Sequence, residues 1–144
     1  MNKITWSVTE GPLEHELIQR AERMFGYSYP EDYKDCVKYN DGGYPSPNLF
    51  DLPDEESVVF NNLISFTSKE VNIFMYMQIV SEPRMKGLVP FGRDPFGNLI
   101  CFDYRNTQES PPIVFFDHEE FGEEAIIPVC KSFSDFLDGL YSRE

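Results

Sequence analysis

The chain predicts an α+β fold: a central antiparallel β-sheet, a meander, with N-terminal, middle and C-terminal helices packed on it. Three observations carry this reading. Between Gly87 and Glu120, three apolar runs rich in Val, Ile and Phe are separated by turn residues, as strands joined by hairpins are. Ahead of them, Leu13, Leu17, Ile18, Ala21 and Met24 recur at helical spacing. Behind them, Phe133, Phe136, Leu137, Leu140 and Tyr141 follow at i, i+3, i+4, i+7 and i+8, an amphipathic helix pattern. A length of 144 residues fits one domain, 1–144, and at this size folding buries about two-thirds of the chain's surface.

The first helix is expected to start near Pro12, a residue suited to a first helical turn, and to stop at Gly26, which accepts a left-handed conformation. His15, between Glu14 and Glu16, lies off the apolar stripe and reads as a surface histidine. A second helix starts at Pro30, with Glu31 and Asp32 complementing its positive end. Tyr33, Cys36 and Val37 form its inner face, with Lys34 and Lys38 outward, and Asn40-Asp41-Gly42-Gly43 ends it. The glycine pair follows a helix and precedes no Lys-Ser/Thr, so it is a turn and not a phosphate cradle. From Tyr44 to Pro53 the chain is proline-spaced and partly extended, and Val58–Phe60 and Leu63–Phe66 read as short strands or loop anchors.

Thr67-Ser68-Lys69-Glu70 has capping-box spacing, which predicts a middle helix from about Ser68 to Ser81. Val71, Phe74, Met77 and Gln78 would align along it, and Pro83 would stop it. The hairpin turn Arg93 to Asn98 carries Pro95, which pre-sets φ, and Gly97 and Asn98, which tolerate positive φ. Asp94 is placed to bond the backbone two residues on, and Asp103 to pair with Arg93 or Arg105. Pro111 and Pro112 close the second loop; Pro128 puts the last strand, Ala125 to Val129, at a sheet edge; Ser132 caps the final helix.

Charge narrows the function classes. Twelve Lys and Arg against 25 Asp and Glu give a net charge of −13. That opposes direct binding of nucleic acid, which needs basic groups against phosphates, and of an anionic membrane surface. The acids are segregated. No base lies between Lys38 and Lys69, where Asp41, Asp51, Asp54, Glu55 and Glu56 fall. None lies between Arg105 and Lys131, where Glu109, Asp117, Glu119, Glu120, Glu123 and Glu124 fall. Cys36, Cys101 and Cys130 show no C-x-x-C spacing and read as reduced thiols. Met1 to Glu10 has no signal-peptide pattern, and no apolar run reaches the roughly 20 residues of a membrane helix. A soluble, cytoplasmic protein is expected.

Asp117-His118-Glu119-Glu120 is the cluster closest to a catalytic site. A hydrolase would use His118 as base, Asp117 or Asp103 to orient it, and Cys101 as nucleophile. Cys101 sits inside an apolar run, where a thiol is buried and inert. Adjacent strand residues point to opposite faces, so Asp117 and His118 would not share one metal ion. No catalytic residue, metal or cofactor is expected.

Several motifs recur in a recognisable order: Tyr29-Pro30-Glu31-Asp32-Tyr33 at a helix start and Asn40-Asp41-Gly42-Gly43 at its end; Val89-Pro90-Phe91-Gly92-Arg93-Asp94 with Gly97 and Asp103 in the hairpin; then Asp117-His118-Glu119 and Ser132-Phe133-Ser134-Asp135-Phe136-Leu137. Together they resemble the SUKH superfamily, which includes yeast cell-wall synthesis regulators and many bacterial immunity proteins. Asp41 stands where an uncharged residue is common, and the loop Asp117 to Glu124 is unusually acidic for the family. The resemblance implies a binding module without catalysis. Its bacterial members are typically encoded beside secreted polymorphic toxins, often nucleases, and neutralise them by direct contact.

The implied partner is a cognate toxin with a basic nuclease domain, onto which an acidic inhibitor would be steered. The alternative is an intracellular regulatory scaffold like the yeast relatives. A monomer or weak homodimer is expected. The binding surface is placed on Asp117, Glu119, Glu120, Phe121, Glu123 and Glu124, with Asp54, Glu55 and Glu56 as a second patch; Asp94 is counted with the binding residues, the cleft beside its hairpin being the alternative location. Phe121 is either an anchor for the partner or a pin holding the loop to the body.

Overall fold

The computed structural model describes residues 3–54, 56–76 and 86–143. In chain order the elements are β1 (Thr5–Ser7), α1 (His15–Phe25), α2 (Glu31–Asn40), β2 (Tyr44–Ser46), β3 (Leu49–Asp51), β4 (Ser57–Val59), β5 (Asn62–Leu63), β6 (Leu88–Arg93), β7 (Leu99–Asp103), β8 (Ile113–Phe116), β9 (Ile126–Cys130) and α3 (Phe133–Asp138). Strands β5 to β9 form one antiparallel sheet in sequence order, the expected meander with a short strand added at each edge. Two small antiparallel pairs, β1–β2 and β3–β4, flank it. This is an α+β fold.

Aromatic packing joins the layers. Tyr33 of α2 meets Phe102 of β7 at a centroid distance of 5.1 Å and Phe133 of α3 at 5.4 Å, both edge to face. Phe91 of β6 stacks on Phe102 at 4.5 Å. Phe136 of α3 reaches Phe50 of β3 and Phe60 after β4, each at 5.2 Å, so the β3–β4 pair is pinned to the same core. Gly92 makes room for this: a Cβ there would lie 2.8 Å from the Phe60 ring. Every residue of β7 and β8 is buried, so both faces of the central strands are shielded from water.

Pro90 lies in β6 although that strand is paired on both sides, and the ladder to β7 shifts register between Pro90 and Gly92. A residue without an N–H is tolerated in an inner strand at such a bulge. Pro128, as expected, lies in edge strand β9.

Three helix expectations need correction. The first helix begins at His15 rather than Pro12, and the Leu13 amide ahead of it donates to the Lys38 carbonyl at the end of α2. Met24 of the apolar stripe is 43% exposed, and Phe25 packs on the core instead. The final helix closes at Gly139, and Tyr141 exchanges backbone hydrogen bonds of 3.0 Å with Leu49. The Ser132 cap is present, its hydroxyl accepting from the Asp135 amide.

The middle helix departs most. Of its described part, only Ile73–Tyr76 is helical, as a 3-10 turn; Met77, Gln78, Ser81 and Pro83 lie outside the described residues. Local side chains take the amides that a helix would use. Ser68 Oγ accepts from the Glu70 amide, and Asn72 Oδ1 accepts from those of Phe74 and Met75. Thr67, the expected cap, donates its hydroxyl to Asp41.

The Tyr29 and Tyr33 hydroxyls are buried and have no hydrogen-bond partner among the described residues. Burial pushes the ionisation of both phenols well above its ordinary range. Removing the core ring in Phe102→Ala is expected to destabilise the fold by about 3–5 kcal/mol in urea unfolding. Tyr33→Phe keeps the ring and removes an orphaned hydroxyl, so it should be neutral or stabilising by about 1 kcal/mol. A clear destabilisation by Tyr33→Phe would mean that the hydroxyl has a partner.

Candidate partner-binding surface

Carboxylates in this chain fall into two populations, and burial separates them. Asp41, counted in the first base-free window, is buried at the end of α2. Its Oδ2 accepts from Ser65 Oγ at 2.7 Å and Thr67 Oγ1 at 3.1 Å, and its Oδ1 from the Phe66 amide at 2.8 Å. Burial raises its pKa, with these hydrogen bonds acting in the opposite direction. Asp41 therefore belongs to the scaffold and adds nothing to the acidic exterior.

Asp94 is likewise only 5% exposed. Its Oδ1 accepts from the Phe96 and Asn98 amides at 2.9 and 2.8 Å, and its Oδ2 from Asn98 Nδ2 at 2.9 Å. Both oxygens serve the β6–β7 turn, as its position before Pro95 predicts. Asn98 carries the constraint onward. Its Oδ1 accepts from the His118 amide at 3.1 Å and lies 2.6 Å from His118 Nδ1. The turn is thus tied to the loop after β8.

That loop is ordered by its own acids. Asp117 Oδ1 accepts from the Glu119 amide at 3.0 Å, and the Asp117 carbonyl from the Glu120 amide at 3.1 Å. A 3-10 turn, Gly122–Ala125, then leads into β9. Glu119, Glu120, Glu123 and Glu124 are exposed, and Phe121 is 77% exposed. At that exposure most of the Phe121 ring faces solvent. Asp54 bonds the Glu56 amide in the β3–β4 turn, and both are exposed; Glu55 lies outside the described residues.

The two acidic stretches meet across one open cleft of about 300 Å³. Glu56 lines it from the β4 side, Asp117 and Glu119 from the β8 side, and among the described residues no Lys, Arg or His contributes to its lining, although Arg143 Nη2 donates to the lining residue Ser57 at 2.7 Å. Glu123 faces elsewhere. With Gly122 it lines a second cleft of about 630 Å³ that also holds Lys86, Arg105 and Tyr104. Arg105 bonds Asp103 through Nε and Nη2, each at 2.9 Å, and its Nη1 lies 3.3 Å from Glu123. The window that is free of bases along the chain is therefore not free of them in space. Asp103 pairs with Arg105, and Arg93 bonds Asn62 instead.

A residue absent from the sequence reading stands at this cleft. Phe96, at the tip of the Asp94 turn, is 78% exposed and lines the cleft. Its signal was available: an aromatic between Pro95 and Gly97, in a turn too tight to fold back on the core.

The hydrolase constellation is not assembled. Cys101 is buried opposite Val114 in the ladder, while His118 lies beyond the end of β8 beside Asn98. Burial pushes the Cys36 thiol up to about 12, the Cys130 thiol up to about 11, and the Cys101 thiol further still. No group of three or more His, Cys, Asp or Glu among the described residues is placed to hold a metal ion.

The SUKH family model described as SMI1-KNR4 cell-wall matches residues 15–137, which includes α1, α2, the whole meander and most of α3. The chain belongs to the SUKH family. No curated protein matches it by sequence. SUKH domains are immunity or regulatory binding domains. Among the described residues, no helix of this SUKH domain is long and apolar enough to cross a membrane.

Asp94→Ala is expected to lower stability by about 2 kcal/mol, since three hydrogen bonds to a buried carboxylate are lost. It should also shift the His118 amide resonance, because Asn98 loses its anchor. An unmoved His118 resonance would show that the loop is positioned without the turn. Cys101 should resist a thiol reagent at pH 8 until the protein unfolds, with complete labelling only in denaturant.

Proposed function

We propose that this SUKH domain is an immunity protein that binds and neutralises a cognate toxin by direct contact. The acidic cleft and the loop beside it form the contact face. A single observation carries the reading: acids distant in sequence, Glu56 and the pair Asp117 and Glu119, line one cleft whose lining among the described residues includes no Lys, Arg or His, with Arg143 beside it bonded to Ser57. A net charge of −13 extends the same field over the whole molecule. A basic nuclease domain, RNase or DNase, is the complementary partner, because enzymes that grip phosphates carry positive grooves. Steering by such a field raises the association rate, and the rim carboxylates also discriminate against acidic competitors. The reading requires no catalysis and no nucleic-acid contact, and it places the protein in the cytoplasm, where a toxin of this kind acts. A regulatory scaffold is the second reading, favoured by the cell-wall description of the matching family model.

Co-expression with the toxin encoded beside this gene tests the proposal. Cells should grow when both are made and die when the toxin is made alone; death in both cases would refute immunity. In stopped-flow mixing with that toxin, Glu56→Lys combined with Glu119→Lys should slow association about tenfold at low salt and flatten its salt dependence. Thermal stability should stay unchanged, as both side chains are exposed. Unaltered association kinetics would move the interface away from this cleft.

A further inference from the structure

The acidic cleft has an apolar floor. Leu52, Val58 and Phe115 are buried beneath it, Val59 and Ile127 are half-buried in its walls, and the Phe96 ring stands at its edge. Single exposed aromatics are common on protein surfaces and need no explanation. An exposed ring beside an open groove with an apolar floor is different, because the two are continuous and form one patch. Asp94 and Asn98 hold the turn that carries the ring, so its backbone position is fixed before any partner arrives. Contacts made by such a fixed element lose little conformational entropy on binding.

We propose that this groove takes one apolar side chain from an extended segment of the protein partner, flanked on both sides by Lys or Arg, with Phe96 as the anchor residue. This rests on the reading of the acidic face as the binding surface and specifies its chemistry. Size admits this: about 300 Å³, at the lower limit of small-molecule pockets, has room for a Leu- or Met-sized group together with the backbone that carries it. Charge supports the flanks. Glu56 lies on one side and Asp117 and Glu119 on the other, so cations before and after the inserted side chain would each meet a carboxylate. Nucleic acid would meet the same carboxylates as like charges. Phe121, although equally exposed, does not line the groove and has no part in this contact.

The test uses the full chain labelled with ¹⁵N and titrated with the peptide acetyl-Arg-Gly-Leu-Gly-Arg-amide. Saturable shifts are expected at the amides of Val59, Phe96 and Ile127. Replacing the central leucine by glycine should weaken binding about tenfold, the worth of burying such a side chain. Phe96→Ala should weaken binding of the leucine peptide by a similar factor without changing the melting temperature, and Phe121→Ala should leave it unchanged. Equal affinity for the leucine and glycine peptides, or for Phe96→Ala and the parent, would overturn the groove while leaving the electrostatic reading intact. Absence of shifts at these residues at millimolar peptide would also overturn the groove, and toxin rescue then tests immunity separately. Preference for acetyl-Glu-Gly-Leu-Gly-Glu-amide would overturn both.

Discussion

The contact between Tyr33 and the stacked rings of Phe91 and Phe102 is the constraint on which the other layers depend. Tyr33 comes from α2, Phe91 from β6 and Phe102 from β7, and Phe133 of α3 closes on all three rings. Elements from both ends of the chain are therefore fixed to adjacent strands of one meander by a single aromatic cluster. Rings of this size bring large buried area, and their preferred edge-to-face geometry fixes relative orientation as well as distance. The Tyr29 and Tyr33 hydroxyls, buried with these rings, have no hydrogen-bond partner among the described residues. An unsatisfied buried hydroxyl costs about 1–3 kcal/mol, and the cluster holds two.

Around this core, carboxylates have two separate jobs. Asp41, Asp94 and Asp103 are buried and accept hydrogen bonds that join a helix end to a loop, close a turn, and hold Arg105. Glu56, Glu119, Glu120 and Glu124 are exposed. The net charge of the sequence counts both groups equally, although solvent meets mainly the second. The buried group nevertheless shapes the surface: through Asn98, the Asp94 turn holds the loop that presents Asp117 and Glu119.

Much of the fold was legible because its signals are local and redundant. The meander follows from apolar runs between turn residues, and the Ser132 cap and the Gly26 stop, at φ 84°, follow from single-residue chemistry. The middle helix was misread because capping-box spacing describes what side chains are able to do, whereas Asp41, 26 residues away, takes the Thr67 hydroxyl. No window of local sequence contains that competition. The site was legible in part. Both acidic stretches were visible, but not that Glu56 and Glu119 face one cleft while Glu123 faces Arg105. Linear distance from a base says little when antiparallel strands return an arginine from one hairpin to the next. Phe96 was overlooked because turn residues were weighed for backbone geometry alone.

Within the five residues from Asp94 to Asn98, structural duty is unevenly distributed. Asp94 and Asn98 hold the hydrogen bonds, and Gly97 takes the positive φ of 94° that closes the reversal. The ring of Phe96 contributes to none of these. A change of side chain at position 96 that keeps the backbone amide would therefore leave the turn, the adjoining loop and the core as they are. Under the proposed contact, partner preference and foldability are written at different positions of the same short loop, so a lineage could exchange one partner for another without passing through an unfolded intermediate sequence.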